Sequence, residues 1–305
     1  MYNTLILSSG GSYIISIISC LNKLIEQNII DINNIKTYHG TSAGSIIAFL
    51  LNIGLKPSSI LKIIDKFDLK KIYDIKSEDI INIIENKGLL STKKFASILS
   101  IALNCIYQID NITFKELYDK TGKSLNVYTT NLTKQKCCIF NHINTPDFDV
   151  IKAIEMSCCI PIIFQQIEHE GDIYVDGALC AYIPTPIMTQ EERNKTIGIL
   201  LVNDKQNINY DYNDPLWLLY SLYISMSLYM RTSLKYIKRT KPYDMIIINS
   251  KMNLTMNDIN NNDMIKYGNE AAETFIEYNK IKENSNNDIL DNDIHKQVNE
   301  NNNDS

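Results

Sequence analysis

Short apolar runs alternate with stretches of helical spacing along the first part of the chain. Residues 4–8 form an apolar run that ends in small residues, and residues 14–25 carry isoleucine or leucine every three to four positions. A second short run over residues 37–39 is followed by an almost wholly apolar stretch over 45–54. This order predicts strand, helix, strand and helix, which is typical of a parallel sheet covered by helices.

The rest of the chain continues the mixture of helices and strands. Residues 57–118 have the three- and four-residue apolar spacing of helices. Further strands are predicted over residues 125–129, 137–140, 173–175, 196–202 and 245–248. A long helix is predicted over 215–239, between the last two of these strands. Residues 283–305 are dominated by Asn, Asp and Glu without an apolar period, so we expect a disordered tail there.

Composition restricts the class of protein. The chain has 305 residues, of which 45% are hydrophobic and 21% charged, enough for a globular protein with a sizeable core. The net charge of −5 argues against nucleic acid as a partner. The first seven residues lack the basic segment and long apolar core of a secretory signal, so we expect a cytoplasmic protein that is not secreted.

The seven cysteines and four histidines give no sign of a metal site. The cysteine count is odd and no C-x-x-C spacing occurs, which favours reduced thiols over a disulfide framework. Four histidines leave few candidates for a catalytic triad, and His39 on a predicted strand is expected to face the packing of the sheet. We therefore predict neither a metal nor a cofactor.

The run Gly40-Thr41-Ser42-Ala43-Gly44 fits G-x-S-x-G and lies between a predicted strand and a predicted helix. In a nucleophile elbow of this kind a serine stands on a sharp turn, and side chains at the glycine positions would collide with the neighbouring strand or helix. The helix that follows also points its N-terminal amides at the site, which favours developing negative charge. The alternative is a packing turn without chemistry.

Two further motifs flank the elbow in the sequence. The run Tyr174-Val175-Asp176-Gly177-Ala178 places an acid at the end of a short apolar strand, although an ordinary Asp-Gly turn has the same pattern. The run Ser8-Ser9-Gly10-Gly11 is a small-residue loop at the end of the first strand. Its backbone N–H groups are suited to hold an oxyanion or a phosphate.

These three motifs, in this order, resemble the patatin-like phospholipase family. The segment over 153–164, with small residues before a proline and an aromatic, is similar to the family's segment before its catalytic aspartate. The resemblance covers residues 4–189 and implies a three-layer α/β/α sandwich with a mainly parallel central sheet. Residues 190–282 are then a mostly helical extension with two strands, packed on the core, and residues 283–305 are the tail.

The resemblance also implies an enzyme and assigns its residues. Ser42 is the nucleophile, Asp176 is the base that accepts its proton, and Gly10 and Gly11 belong to the oxyanion loop. The remaining motif positions are Gly40, Thr41, Ala43, Gly44, Gly177 and Ala178. The expected activity is hydrolysis of a phospholipid or acylglycerol ester through an acyl-enzyme, and such a dyad requires no histidine.

The oxyanion loop departs from the family pattern, which usually reads G-G-G-x-[RK]-G. Here Ser9, Tyr13 and Ile14 replace the first glycine, the basic residue and the last glycine. Losing one oxyanion donor typically costs about 10²–10³ in rate. An active lipid hydrolase is therefore expected, with a catalytically impaired protein that binds lipid or a partner as the alternative. A soluble esterase or protease that shares the elbow is a third interpretation.

The helix predicted over residues 215–239 has two interpretations. It ends in Arg and Lys residues, so it is suited to a peripheral contact with a membrane surface, the basic end at the head groups. The apolar side chains that would face the membrane are Leu216, Trp217, Leu219, Leu222 and Tyr223. The alternative is a helix packed on the sheet, because it lies between two predicted core strands.

Overall fold

The computed structural model describes residues 1–65, 88, 90–203, 217–240, 242–250 and 260–301. The strands are β1 (Thr4–Leu7), β2 (Thr37–Thr41), β3 (Ser124–Asn131), β4 (Lys136–Phe140), β5 (Ile167–His169), β6 (Asp172–Asp176), β7 (Thr196–Asn203) and β8 (Asp244–Ser250). The helices are α1 (Ile14–Glu26), α2 (Ala43–Asn52), α3 (Pro57–Asp65), α4 (Lys93–Tyr107), α5 (Phe114–Thr121), α6 (Val150–Ser157), α7 (Ala178–Ala181), α8 (Gln190–Asn194), α9 (Trp217–Thr240) and α10 (Asn261–Asn301). A 3₁₀ turn over Gly11–Tyr13 precedes α1.

All eight strands belong to one sheet. Its hydrogen-bonded path runs β5-β6-β3-β2-β1-β7-β8, and β4 pairs with β3 outside that path. The pairings of β1 with β2 and β7, of β2 with β3 and of β7 with β8 are parallel. The pairings of β3 with β4 and β6, and of β5 with β6, are antiparallel. The predicted α/β fold with a mainly parallel sheet is confirmed.

Both faces of the sheet are covered. Alternate residues of β7 belong to two separate apolar clusters, and successive side chains of a strand point to opposite faces. The larger cluster includes Ile197, Ile199 and Leu201 together with apolar residues of α1 and α2. The smaller one contains Leu200 and Val202 with Leu234 and Ile237 of α9. The sheet is therefore the middle layer of three, as the resemblance implied.

The strand β3 brings together two chain segments that are far apart in sequence. Its residues 127–131 pair with β4, so β4 occupies one edge of β3. Along the other edge, β2 pairs with residues 124–128 and β6 with 129–131. Since β2 runs parallel and β6 antiparallel to β3, their carboxyl ends meet where Thr41 pairs with Tyr128 and Asp176 with Thr129. Ser42 follows directly after Thr41 at this junction.

The C-terminal third of the chain is built into the same layers. Strands β7 and β8 extend the central sheet beyond β1, so residues 190–282 contribute strands to the sheet as well as helices. Helix α10 packs closely on α1, where a methyl group at Gly268 would overlap the carbonyl oxygen of Ser16. Lys23 and Glu273 join the two helices by an ion pair of 3.0 Å.

Helix α10 extends from Asn261 to Asn301, and the disordered tail over residues 283–305 stays a prediction. The helical stretch predicted over 57–118 contains α3, α4 and α5, while residues 66–87 and 89 lie outside the described residues. The division of the chain at residues 189 and 282 stays a prediction.

Candidate active site

Ser42 stands on a strained turn between β2 and α2. Its backbone angles are φ 52° and ψ −124°, which a residue with a Cβ atom rarely adopts and which cost conformational energy. The turn is tightly enclosed: a methyl group at Gly44 would overlap the carbonyl oxygen of Leu7 on β1. A methyl group at Gly40 would overlap the backbone of Ser45. The G-x-S-x-G pattern therefore corresponds here to a strand-to-helix elbow.

Ser42 and Asp176 are in direct contact. Ser42 Oγ donates a hydrogen bond of 2.7 Å to Asp176 Oδ2, and the other carboxylate oxygen accepts one of 2.7 Å from the Ala178 amide. A methyl group at Gly177 would overlap the carbonyl oxygen of Tyr128, so a glycine is needed where β6 passes into α7. The structure thus brings together the two side chains that the resemblance assigned to the dyad.

Burial controls the acidity of Asp176. The side chain is fully enclosed, and the loss of hydration raises the pKa of its carboxyl group from 3.8 to about 7. The hydrogen bonds from the Ala178 amide and the Ser42 hydroxyl act in the opposite direction because they favour the ionised carboxylate. A carboxyl group with a pKa near 7 is a stronger base than an ordinary aspartate.

Two residues that the sequence analysis did not single out hold this pair in place. Ser157, the last residue of α6, accepts a hydrogen bond from the Ser42 amide at 2.8 Å and donates one to the Tyr128 carbonyl at 2.6 Å. Thr130 on β3 donates to the carbonyl oxygen of Asp176 at 2.8 Å. Ser157 lies in the segment that resembles the family's, but only the fold reveals its partners.

The loop after β1 is held by hydrogen bonds from its two serines. The Ser8 hydroxyl accepts from the Leu201 amide and donates to the Ser9 carbonyl, both at 2.9 Å. The Ser9 amide donates to the Tyr182 carbonyl at 3.0 Å. At the positions that depart from the family pattern, Tyr13 and Ile14 are buried in the core. The altered loop is thus a well-anchored part of the fold.

An apolar pocket opens beside Ser42. Its cavity volume is about 70 Å³. The backbone-rich side of its wall is formed by Gly11, Ser12, Ser42 and Ala43. The remaining wall consists of Ile14, Ile46, Leu50, Ile63, Ile64, Phe95, Ile98, Leu99, Cys158 and Ile160. Such a lining suits a hydrocarbon chain whose polar end lies at Ser42.

His39 is buried on β2 and contacts Tyr128. Its Nδ1 lies 3.0 Å from the Tyr128 hydroxyl, and burial lowers the pKa of its imidazole to about 4. In the described part of the chain, no group of three or more His, Cys, Asp and Glu side chains is arranged to hold a metal ion. Among the described helices, none combines the length and the apolar character needed to cross a membrane.

Comparisons with known proteins show the family to which the chain belongs. The family model for patatin-like phospholipases matches residues 5–189. The probable lipid hydrolase 463L of Invertebrate iridescent virus 6 is 34% identical over 228 residues, which cover 69% of this chain and 74% of the viral protein. Triacylglycerol lipase 4 of Saccharomyces cerevisiae is 27% identical over 52% of this chain and 18% of the yeast protein.

A solved structure shares the fold. VipD from Legionella pneumophila superimposes with a TM-score of 0.61 over 91% of this chain and 67% of that protein, at 17% sequence identity. At this identity the likeness concerns the fold alone.

Proposed function

The chain belongs to the patatin-like phospholipase family, a family of lipid hydrolases, and we propose that it cleaves the carboxylic ester of a phospholipid or acylglycerol by means of Ser42 and Asp176. The observation that carries the proposal is the buried 2.7 Å hydrogen bond between these two side chains at the wall of an apolar pocket. The apolar lining suits the first carbons of an acyl chain whose ester carbonyl lies at the serine.

The proposed reaction is an acyl transfer in two steps. Ser42 Oγ attacks the ester carbonyl carbon while its proton passes to Asp176 Oδ2. The backbone amides of the loop around Gly10 and Gly11 and the first turn of α2 stabilise the oxyanion. The alcohol leaves with the proton from Asp176. Water then attacks the acyl-serine, with Asp176 again as the base, and the fatty acid is released.

Several features support an active enzyme over the impaired alternative. The pair Ser42 and Asp176 is in hydrogen-bond contact, and the elbow keeps its strained conformation. Backbone strain of this kind persists only where the surrounding structure enforces it. The loop after β1 is anchored by Ser8 and Ser9 despite its departure from the family pattern.

Release of fatty acid from lipid tests the proposal. Wild-type protein is expected to release it from phosphatidylcholine vesicles or from a triacylglycerol emulsion. Ser42→Ala and Asp176→Asn are expected to lower the rate by about 10³-fold or more, since a nucleophile and its base act as a unit. Ser58→Ala, an exposed serine on α3, is the matched control and keeps the wild-type rate.

The alternatives give different results in the same assay. Binding to vesicles without any release of fatty acid would favour the impaired lipid-binding protein. Cleavage of a short-chain ester without release from either lipid would favour a soluble esterase. Equal rates in wild type and Ser42→Ala would contradict the proposed nucleophile.

For access to lipid, we propose a peripheral contact through the outer face of α9. The inner face of this helix packs on the sheet through Leu234 and Ile237, which agrees with the packing alternative for that face. The exposed side chains of the helix include Trp217, Leu228, Tyr236, Lys235, Lys238 and Arg239, whereas the hydroxyl of Tyr229 donates to the Cys180 carbonyl of α7 at 2.8 Å. Aromatic residues beside cations suit an anionic membrane surface. Leu216 and the side chains of Leu219, Leu222 and Tyr223 lie outside what the structure describes, and the cytoplasmic location stays a prediction.

Vesicle flotation tests this contact. Wild-type protein is expected to float with phosphatidylserine vesicles and to remain behind with phosphatidylcholine vesicles at the same salt concentration. Replacing Lys235, Lys238 and Arg239 together by Gln is expected to abolish flotation. Unchanged flotation of this variant would contradict the contact.

A further inference from the structure

Two accessible cysteines from distant parts of the chain meet beside the dyad. Cys137 lies on β4 and is exposed, and Cys180 lies in α7 and is partly exposed. The Cys137 thiol lies close enough to the sulfur of Cys180 for each to shift the pKa of the other. All seven cysteines are free in the structure, so these two are a dithiol.

The backbone itself places the two sulfur atoms together. Cys137 is directly opposite Thr130 in the ladder between β3 and β4, and directly opposed side chains project from the same face of a sheet. The Thr130 hydroxyl oxygen lies 3.1 Å from Cys180 Sγ on that face. The neighbouring Cys138 comes next in the strand, so its side chain projects from the other face.

The two thiols differ in acidity because of their contact. The hydrogen bond from the Cys137 thiol lowers the pKa of Cys180, because it stabilises a thiolate there. The same bond raises the pKa of Cys137, which stays protonated. A thiol of lowered pKa beside a second thiol is the arrangement in which one cysteine attacks an oxidant and the other resolves the product.

We propose that Cys137 and Cys180 form a reversible disulfide when the protein meets a peroxide. Cys180 sulfur attacks one peroxide oxygen, the O–O bond breaks, and a sulfenic acid and one water result. Cys137 sulfur then attacks the sulfenic sulfur, the S–S bond forms, the S–O bond breaks and the second water leaves. The two thiols supply the two electrons that reduce hydrogen peroxide to two waters, and a dithiol reductant reverses the reaction.

The disulfide is connected to Asp176 through two contacts. Thr130 Oγ1, beside Cys180 Sγ, donates to the carbonyl oxygen of Asp176, and the Ala178 amide at the start of α7 donates to its carboxylate. A sulfur–sulfur bond of about 2 Å is shorter than any contact between thiols, so its formation draws α7 toward β4. We expect this shift to disturb the position of Asp176 and to slow hydrolysis, a consequence that rests on the proposed function.

Intact mass spectrometry tests the disulfide independently of any activity. After treatment with hydrogen peroxide, the wild-type mass is expected to fall by two hydrogen atoms and to return after dithiothreitol. Cys137→Ser and Cys180→Ser are expected to lose this change. Cys105→Ser and Cys138→Ser are the matched controls and keep this change. Cys138→Ser is needed because Cys137 and Cys138 lie in one tryptic peptide, so peptide mapping cannot tell which of them is oxidised. The proposal would be overturned if the wild-type mass did not fall by two hydrogens, or if the mass of Cys138→Ser did not fall by this amount.

The effect on hydrolysis is measured on the same samples. Oxidised wild type is expected to be slower on the order of tenfold or more, because small displacements of catalytic groups cost up to about 10²-fold. Reductant restores the rate, and Cys137→Ser loses no activity on peroxide treatment. An unchanged rate in protein that carries the disulfide would refute the connection to Asp176. A reduced wild type without activity would contradict the proposed function, and the mass result would still decide on the disulfide.

Discussion

At the scale of single residues, the environment of Asp176 decides what the proposed dyad can do. The complete burial of its carboxyl group raises the pKa to about 7, so the group is a competent base only above that pH. His39, the histidine nearest in sequence to the elbow, bonds to Tyr128 and has its pKa lowered to about 4. The two groups therefore titrate in well-separated ranges.

The pH profile of hydrolysis follows from this pKa. Below about pH 7, kcat/KM is expected to rise about tenfold per pH unit, because the ionised fraction of Asp176 rises by that factor, and to level off above it. The rate is measured with a water-soluble ester, because the charge of a lipid surface would itself change with pH. His39→Gln is the control and keeps the midpoint. A midpoint near 4, or one that moves in His39→Gln, would contradict the role of Asp176.

At the scale of elements, strand β3 acts as the template of the site. Strands β2 and β6 follow one another along one edge of β3, and their meeting point places Ser42 beside Asp176. The Ser157 hydroxyl at the end of α6 bridges the Ser42 amide to the Tyr128 carbonyl, and so ties the elbow to this template. Ser157 is thus a positioning residue for the proposed nucleophile.

Removal of the Ser157 hydroxyl tests this bridge. Ser157→Ala leaves the amide of Ser42 without its partner, and kcat is expected to fall by up to about 10²-fold with little change in KM. Ser157→Cys retains a weaker acceptor of similar size and is expected to recover part of the loss. The readout is the separate determination of kcat and KM, with thermal unfolding as a control for folding. A change in KM alone, or equal loss in both variants, would contradict a positioning role.

Local patterns in the sequence predicted the individual strands and helices better than the way in which the strands pair in the sheet. The motifs around Ser42 and Asp176 mark a turn each, because strand, small residues and helix follow one another in the chain. The register that joins β2 and β6 on β3 pairs residues far apart in the chain, such as Thr41 with Tyr128 and Thr129 with Asp176, and leaves no local signal. For the same reason the contacts of Ser157, Thr130 and Cys180 emerge only from the fold.

Helix α10 is a different case, since a signal for it was present. Its buried positions recur at helical spacing and are Met264, Gly268, Ala272, Phe275 and Ile276. Two of these residues are small, so the stripe is weakly apolar, and the many Asn and Asp residues beyond it dominate the composition. The glycine at position 268 allows close packing on α1, because a methyl group there would overlap the Ser16 carbonyl oxygen.

At the scale of the whole molecule, the family match ends before the sheet does. The match covers residues 5–189, yet β1 lies between β2 and β7, and β7 begins at Thr196. Without β7, one edge of β1, the strand before the loop of Gly10 and Gly11, would lose its hydrogen-bond partners. The layers that hold Ser42 and Asp176 therefore depend on chain that follows the matched segment.

Truncation tests this dependence. A chain of residues 1–189 is expected to show no cooperative thermal unfolding by circular dichroism, because β1 loses β7 and α1 loses α10. A chain of residues 1–282 is the control and keeps a cooperative transition, since it retains both contacts. A cooperative transition in the shorter chain would contradict the account of a single sheet.

The central claim is that Ser42, activated by Asp176, is the nucleophile, and covalent labelling by a fluorophosphonate tests it most directly. Wild-type protein is expected to gain one phosphonyl group per chain, located on Ser42 by peptide mapping. Ser42→Ala is expected to gain none, Asp176→Asn to react far more slowly, and Ser58→Ala to react like wild type. Equal labelling of Ser42→Ala, or labelling of wild type at another residue, would contradict the claim.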